Sequence, residues 1–517
     1  MPILPPILAQ ASGVSNDDGA VLQRPLSNAS FTLDSSGVAG FFGGDSSVAG
    51  MATVNLIPNR RWGGWYNTPG SYEIAKRYGP LAKSKLCDGL FPEGEHDPTR
   101  LFGIDGKDGP QFIAIHSGSS FVRTGHLGHL LATKARDMPC TRAPFASLNA
   151  RTTASPPVTI VNLRHVPRES DHPRLPRHWE HSALFSLAPI AVSVGACVLC
   201  ALVADWFCFA SIAVGIVAHG SACYIIGSGK LTFRHPRPAP DAPPGDGVLK
   251  GDKDVVILVG DEGAVNAFTR GRFRLEYGAE RDGGLDVETP RRFRRPKREG
   301  TGTGTFSEKE TVQVDRSHRS RRSWIPRRYL IGPCALLLMG QFLAQLLLIP
   351  LGTLFGQLMF IASLIASWAY NTYLSAIDRE EIQTEILFNV LQVEEEDIQK
   401  YQLRTWTATV AFTCFVLASA HPIEDPLALL DALLPNNTEV WRVWKRKMAA
   451  KLQERKHFDR SDVEFKFSEE DTRVVGEKHR GLLRTFFHDA ENAWDAWCDV
   501  RDCERMIALR RPLGVPV

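Results

Sequence analysis

The chain has 517 residues, enough for two or three domains, with 60 Lys plus Arg against 57 Asp plus Glu and a net charge of +3. Nothing in that balance points to nucleic acid, and a mean hydropathy of −0.14 is that of an ordinary soluble protein. The average conceals segregation: apolar residues are concentrated in two blocks, separated by polar, Pro- and Gly-rich stretches. The ten cysteines are scattered and make no secreted disulfide framework. Those at Cys197, Cys200, Cys208, Cys223 and Cys334 fall in or beside the apolar blocks, where they read as small hydrophobes.

Residues 1–50 are rich in Ser, Gly, Asn and Asp and read as disordered. The opening MPILPPILAQASG lacks a basic n-region and is broken by prolines, so an internal span is expected to act as the insertion signal. Residues 51–140 have the composition of a small globular region, with a short helix over SYEIAKRY and a strand over QFIAIHSG. His126-x-x-His129 lacks a Cys or acidic partner and reads as a surface pair, not a metal site. A Pro-, Arg- and His-rich juxtamembrane linker follows at 141–181, where His178, Trp179 and His181 suit the headgroup region.

Residues 182–229 contain one acid, Asp205, and one histidine, His219, and no Lys or Arg. They divide into spans at 183–203 and 206–228 with Ala204-Asp205 as the turn, since a span takes about 20 apolar residues. The second block, 329–377, has no charged residue or histidine at all. Pro350 and Gly352 break it into spans at 330–349 and 353–373. The pairs Ala191 and Gly195, Ser211 and Gly215, Gly352 and Gly356, and Ser363 and Ser367 are spaced for close approach between spans. The expected fold is therefore mainly α: a polytopic membrane protein with two transmembrane helical hairpins, disordered loops and a helical C-terminal region.

The connector, 230–328, carries 22 Lys plus Arg against 15 Asp plus Glu, while the hairpin turns carry no basic residue. By the positive-inside rule it faces the cytosol together with both termini. An ordered island is expected at 252–274, with a strand at 255–259 and a short helix at 262–268. It lacks both the Walker and the dinucleotide-binding glycine patterns, so no cofactor is implied. Asp252-x-Asp254 has the look of a metal-carboxylate pair, as any loop of this composition can. Arg316, Arg319, Arg321, Arg322, Arg327 and Arg328 adjoin the second hairpin and are candidate contacts to anionic lipids at the cytosolic face.

In the helical region 378–437, residues 405–420 are only 16 uncharged positions, the lower limit for a fifth span. The basic WRVWKRKMAAKLQERK just downstream favours a buried or interfacial helix there instead. The C-terminal region, 438–517, has an apolar stripe at Leu483, Phe486, Phe487, Ala490, Trp494, Trp497 and Val500 that reads as core.

The stretches GDEGAVNAFTRGRF, QFLAQLLLIPLGTLFGQLMFIASLIASWAYNTYLS, YQLRTWTATVAF and LLPNNTEVWRVWKRKM resemble a group of uncharacterised multi-pass membrane proteins of mushroom-forming (basidiomycete) fungi, over roughly residues 179–517. The resemblance implies membrane topology and no activity, and it transfers no functional residue. Without hydrolase, protease or nucleotide motifs, a non-enzymatic membrane scaffold or regulatory protein is the leading expectation. The alternative is a subunit of a transporter or channel, using His219, Gln341 and Gln345 as an intramembrane polar site and requiring homo-oligomerisation to form a pore. For Gln341, Gln345, Gln357 and Asn371, interhelical hydrogen bonding is the simpler account.

Overall fold

The computed structural model describes residues 43–92, 94–142, 155–168, 171–251, 254–277, 328–454 and 465–510. The basic residues from Arg316 to Arg327, Asp252 and the first 42 residues lie outside these. Arg328 opens a helix, and its side chain is likewise not described.

Among the described residues, four helices are long and apolar enough to cross a membrane. In an element series numbered along the chain, α1 is Gly44–Ala52, α2 Ser71–Tyr78 and α3 His126–Asp137. The spans follow as α4 Leu187–Leu202, α5 Trp206–Ile226, α7 Arg328–Leu348 and α8 Leu354–Ser375, with α6 at Glu262–Thr269 between the pairs. The protein is a mainly α polytopic membrane protein. Lipid offers no partner for backbone polar groups, so charge-free runs of this length form helices that bond internally. Both breaks fall where the sequence places them. Asp205 caps α5 by accepting from the Cys208 N–H, and Thr353 caps α8 by accepting from the Gly356 N–H. The two turns are also joined. Asp205 Oδ2 accepts from Thr353 N at 2.8 Å and Thr353 Oγ1 at 2.7 Å.

A mixed sheet lies on the opposite side of the spans from these turns, and its extent was not read from the sequence. Its strands are β1 Gln111–Ala114, β2 Ser120–Phe121, β3 Thr141–Arg142, β4 Val158–Leu163, β6 Gly247–Lys250, β7 Val255–Gly260 and β9 Ile398–Gln402. Their order is β2-β1-β6-β7-β4-β9-β3, and a separate ribbon pairs β5 Lys230–Arg234 with β8 Arg272–Glu276. Strands thus come from before the first hairpin, from the connector and from beyond the second hairpin. One sheet can draw on all three only if they share a side of the bundle, which gives the hairpin topology a second, independent basis. β7 runs parallel to β4 and antiparallel to β6. Val255 and Ile257 face one core, Val256 and Leu258 the other, as the two-residue period of a strand covered on both faces requires.

After α9 (Arg379–Leu391), Trp406–Ala420, the candidate fifth span, is α10, a 15-residue helix buried in the core beside the sheet. Residues 407–417 are all buried, packed with β7, α11 (Pro426–Leu433) and α13 (Glu477–Arg510), and α12 (Glu439–Glu454) contributes to the same core. The stripe from Leu483 to Val500 is part of the same core. The structure departs from the sequence reading at the other end of the chain. Gly44–Ala52 falls within a stretch read as disordered, yet it is helical and packs on α8. His126 is also no surface residue: it is 3% exposed and its Nε2 lies 2.7 Å from Gln383 Oε1. His129 pairs with Glu380 at 3.1 Å, and His178 with Glu385 at 3.5 Å, so neither His pair converges on a shared centre.

Candidate functional site: a polar centre inside the bundle

Residues 43–82 do not form part of a separate globular region. They insert between the spans, α1 against α8 and α2 against α7, and so lie between the two helices of the second hairpin. The irregular segment joining α1 to α2 carries most of Trp62 to Tyr72, a run with no charged residue that ends in the first turn of α2. Non-helical backbone can lie among spans only where protein buries its N–H and C=O groups, and here the spans do so.

Asn67 is the tip, 0% exposed, and it touches all four spans. Its N–H donates to Ser193 Oγ of α4 at 3.1 Å, and its Nδ2 donates to Ser363 Oγ of α8 at 2.9 Å. Its Oδ1 accepts from Gln345 Nε2 of α7 at 3.0 Å, and its carbonyl accepts from Ser367 Oγ. The fourth span, α5, presents Gly215, where an added Cβ would lie 2.1 Å from Asn67 Oδ1. Ser193, Gly215 and Ser363 are each near the middle of their helices. With a rise of about 1.5 Å per residue, the tip therefore reaches roughly half-way along the bundle.

The structure brings the three sequence-predicted residues together around this segment. His219 Nδ1 donates to Gly64 O at 2.7 Å, which fixes the tautomer because a carbonyl only accepts. Gln341 Nε2 donates to Thr68 O at 3.1 Å, beside the Gln345–Asn67 bond. Asn371 joins them, its Nδ2 donating to Ser47 Oγ and Thr68 Oγ1, both at 3.1 Å, and its Oδ1 accepting from Tyr66 at 2.8 Å. The interhelical bonds expected of Gln341, Gln345 and Asn371 are replaced by bonds to the inserted segment, while Gln357 donates to Ile349 O and Gly352 O in the turn of its own hairpin. Among the small residues, Gly352 and Gly356 make room for Cys208 and Asp205 of the first hairpin, the expected close approach between spans, whereas Gly215 makes room for Asn67 and Gly220 for the Trp65 ring of the inserted segment; an added Cβ at Gly195 would meet nothing within 4 Å.

Arg60 lies at the mouth of the segment, 1% exposed. Its Nη2 donates to Tyr66 Oη at 3.0 Å, and its guanidinium carbon lies 5.2 Å from the Tyr370 ring centroid. The Tyr66 hydroxyl and the faces of the two rings offset its charge. Asn67, Thr68, Tyr66 and Arg60 were missed from the sequence. The signal that could have found the first three is the uncharged Trp62–Tyr72 run, too short to span and of a length that suits a re-entrant segment; nothing in the sequence marks Arg60.

No family model, curated protein or solved structure matches the chain.

Proposed function

We propose that the chain is a membrane-anchored scaffold or regulatory protein, with its sheet domain as the working part, on the cytosolic face. The observation that carries this reading is the engagement of the polar groups in the spans. Gln341, Gln345, Ser363, Ser367, Asn371 and His219 all bond the chain's own segment 64–68 or its neighbours, and each is at most 1% exposed. Polar groups taken up in this way argue against a conducting path. The net positive connector supports the cytosolic placement of the sheet, and the arginines from Arg316 to Arg328 would add about 1 kcal/mol each of attraction to anionic headgroups.

The test is flux. Full-length protein in proteoliposomes is expected to pass protons, potassium and chloride no faster than empty vesicles. Glycosylation acceptors engineered into residues 236–243 are expected to stay unmodified in microsomes, as is Asn436; modification of either would overturn the cytosolic placement. Neutralising the six arginines is expected to abolish enrichment of phosphatidylserine around the reconstituted protein.

One observation favours a second reading, a gated conduit. Withdrawal of segment 43–82 would leave Gln341 and Gln345 of α7 facing Ser363, Ser367 and Asn371 of α8 across the space it now fills. Flux in the wild type that Gln345→Ala abolishes, with the protein still in the membrane, would establish that reading in place of the first.

A further inference from the structure

Outside the membrane bundle, three side chains far apart in sequence meet at one end of the sheet. His116 follows β1, Asp246 precedes β6, and His421 caps the C-terminus of α10. Asp246 Oδ2 lies 3.3 Å from His116 Nε2 and 2.7 Å from His421 Nδ1, and the three ligand atoms are all within 4.8 Å of one another. The Asp246 side chain is fully buried and that of His116 is 7% exposed, whereas that of His421 is 42% exposed. The other carboxylate oxygen is held in place: Oδ1 accepts from the Gly260 N–H at 2.9 Å. Gly260 reaches it with φ +153°, and an added Cβ would lie 2.3 Å from Leu163 O, so only glycine fits there. Burial pushes the Asp246 carboxyl up, but the bonds from His116, Gly260 and His421 outweigh it and hold it below the usual range.

We propose that His116, Asp246 and His421 bind one divalent transition-metal ion of the zinc class, with a fourth position open on the exposed His421 side. Two imidazoles and a carboxylate are the ligands such borderline ions take, and the set has too few oxygens for calcium or magnesium. Zinc–nitrogen bonds of about 2.0–2.1 Å in a tetrahedral site put ligand atoms roughly 3.3 Å apart, so His116 and Asp246 already stand at the required separation. His421 needs to open by about half an ångström from Asp246 and to settle at the same separation from His116, now within 4.8 Å, and its exposure leaves room for that adjustment. On binding, the proton that each imidazole now directs at Asp246 would leave to solvent or move to the other ring nitrogen, so that both rings coordinate as neutral imidazoles. The fixed Oδ1–Gly260 bond is the outer support that ligating carboxylates use.

The test uses the full-length protein in detergent, stripped with chelator and titrated with zinc and with cobalt(II). The expected result is one equivalent bound, a cobalt visible spectrum of low-coordinate N/O ligation, and an upward thermal shift that chelator reverses. His421→Ala is the first variant because its exposure protects the fold, and His116→Ala is the second; each should lose the stoichiometric binding and the cobalt spectrum. His129→Ala, on a different His–carboxylate pair, should keep both. Absence of stoichiometric metal in the wild type, or undiminished binding in folded His421→Ala, would overturn the proposal and leave a purely hydrogen-bonded triad.

Discussion

Asn67→Ala is the substitution that bears most directly on the inserted segment. It removes two side-chain hydrogen bonds, from Nδ2 to Ser363 Oγ and from Gln345 Nε2 to Oδ1. Ser363 keeps its bond to Phe360 O, but Gln345 Nε2 is left facing the vacated space. Hydrogen bonds within membrane bundles average about 0.6 kcal/mol and reach about 1.7 kcal/mol. A buried amide left without its partner costs about 1–3 kcal/mol. Together these set a loss of about 2–4 kcal/mol, while the main-chain bonds of residue 67 to Ser193 and Ser367 remain. The isosteric Asn67→Asp should be worse: it keeps the acceptor for Gln345, lacks the donor for Ser363, and places a charge near mid-span at about 3 kcal/mol. The assay is reversible denaturant unfolding of the full chain in bicelles, followed by tryptophan fluorescence, with Gln345→Ala completing a double-mutant cycle. A coupling energy of about 1 kcal/mol is expected. A loss below about 0.5 kcal/mol for Asn67→Ala, the size of an ordinary surface substitution, or strict additivity with Gln345→Ala, would refute the central role given to this residue.

Three further outcomes follow from the same geometry. Gly215→Ala should destabilise by about 1–3 kcal/mol through overpacking against Asn67, whereas Gly195→Ala, with open space around it, should be neutral or gain up to about 1 kcal/mol of helix propensity; equal effects would deny the close packing at Gly215. Asp205→Ala removes the acceptor for Thr353 and the cap on Cys208 N–H, and should cost about 2–3 kcal/mol; Asp205→Asn should recover part of it, and cysteines placed in the two turns should cross-link more slowly in the alanine variant. Burial raises the Glu380 carboxyl, but hydrogen bonding to Lys107 and His129 outweighs it and holds the group below its ordinary value of 4.5. The stabilisation it gives is therefore present above that value and lost as pH falls through the lower folded one. The gap in thermal stability between wild type and Glu380→Gln should narrow from about pH 6 to about pH 3, and a constant gap would refute the linkage.

What was legible in the sequence follows from which constraints are local. Lipid imposes its demand on every residue of a span, so Tyr329 to Ile377 and Ser182 to Gly229 announce their helices, their turn residues and even their caps. The strand at Val255 and the helix after Gly260 are legible for the same reason: each shows its period within a handful of residues. Burial of α10 was decided by a neighbouring stretch of basic charge, which is still local information. The rest depends on partners hundreds of positions away. Gln341 and Gln345 stand out as polar residues in an apolar run, but nothing near them says that Asn67 and Thr68 are what they bond. The sheet is assembled from three segments kept apart by hairpins, and strands of four to six residues carry too short an alternation to reveal their order. His116, Asp246 and His421 are the extreme case: each sits at the end of a different element, with no spacing to mark it. The inserted segment is intermediate. Trp62 to Tyr72 is uncharged and rich in glycine and aromatic residues, a composition that a water-exposed loop has no reason to keep, and Asn67 carries its one side-chain amide, whose separate NH2 donor and carbonyl acceptor suit a ring of serines and glutamines. A short uncharged run that precedes spans with unexplained mid-helix amides is therefore a sequence pattern with a physical meaning: the spans supply polar groups to a backbone that cannot bond itself.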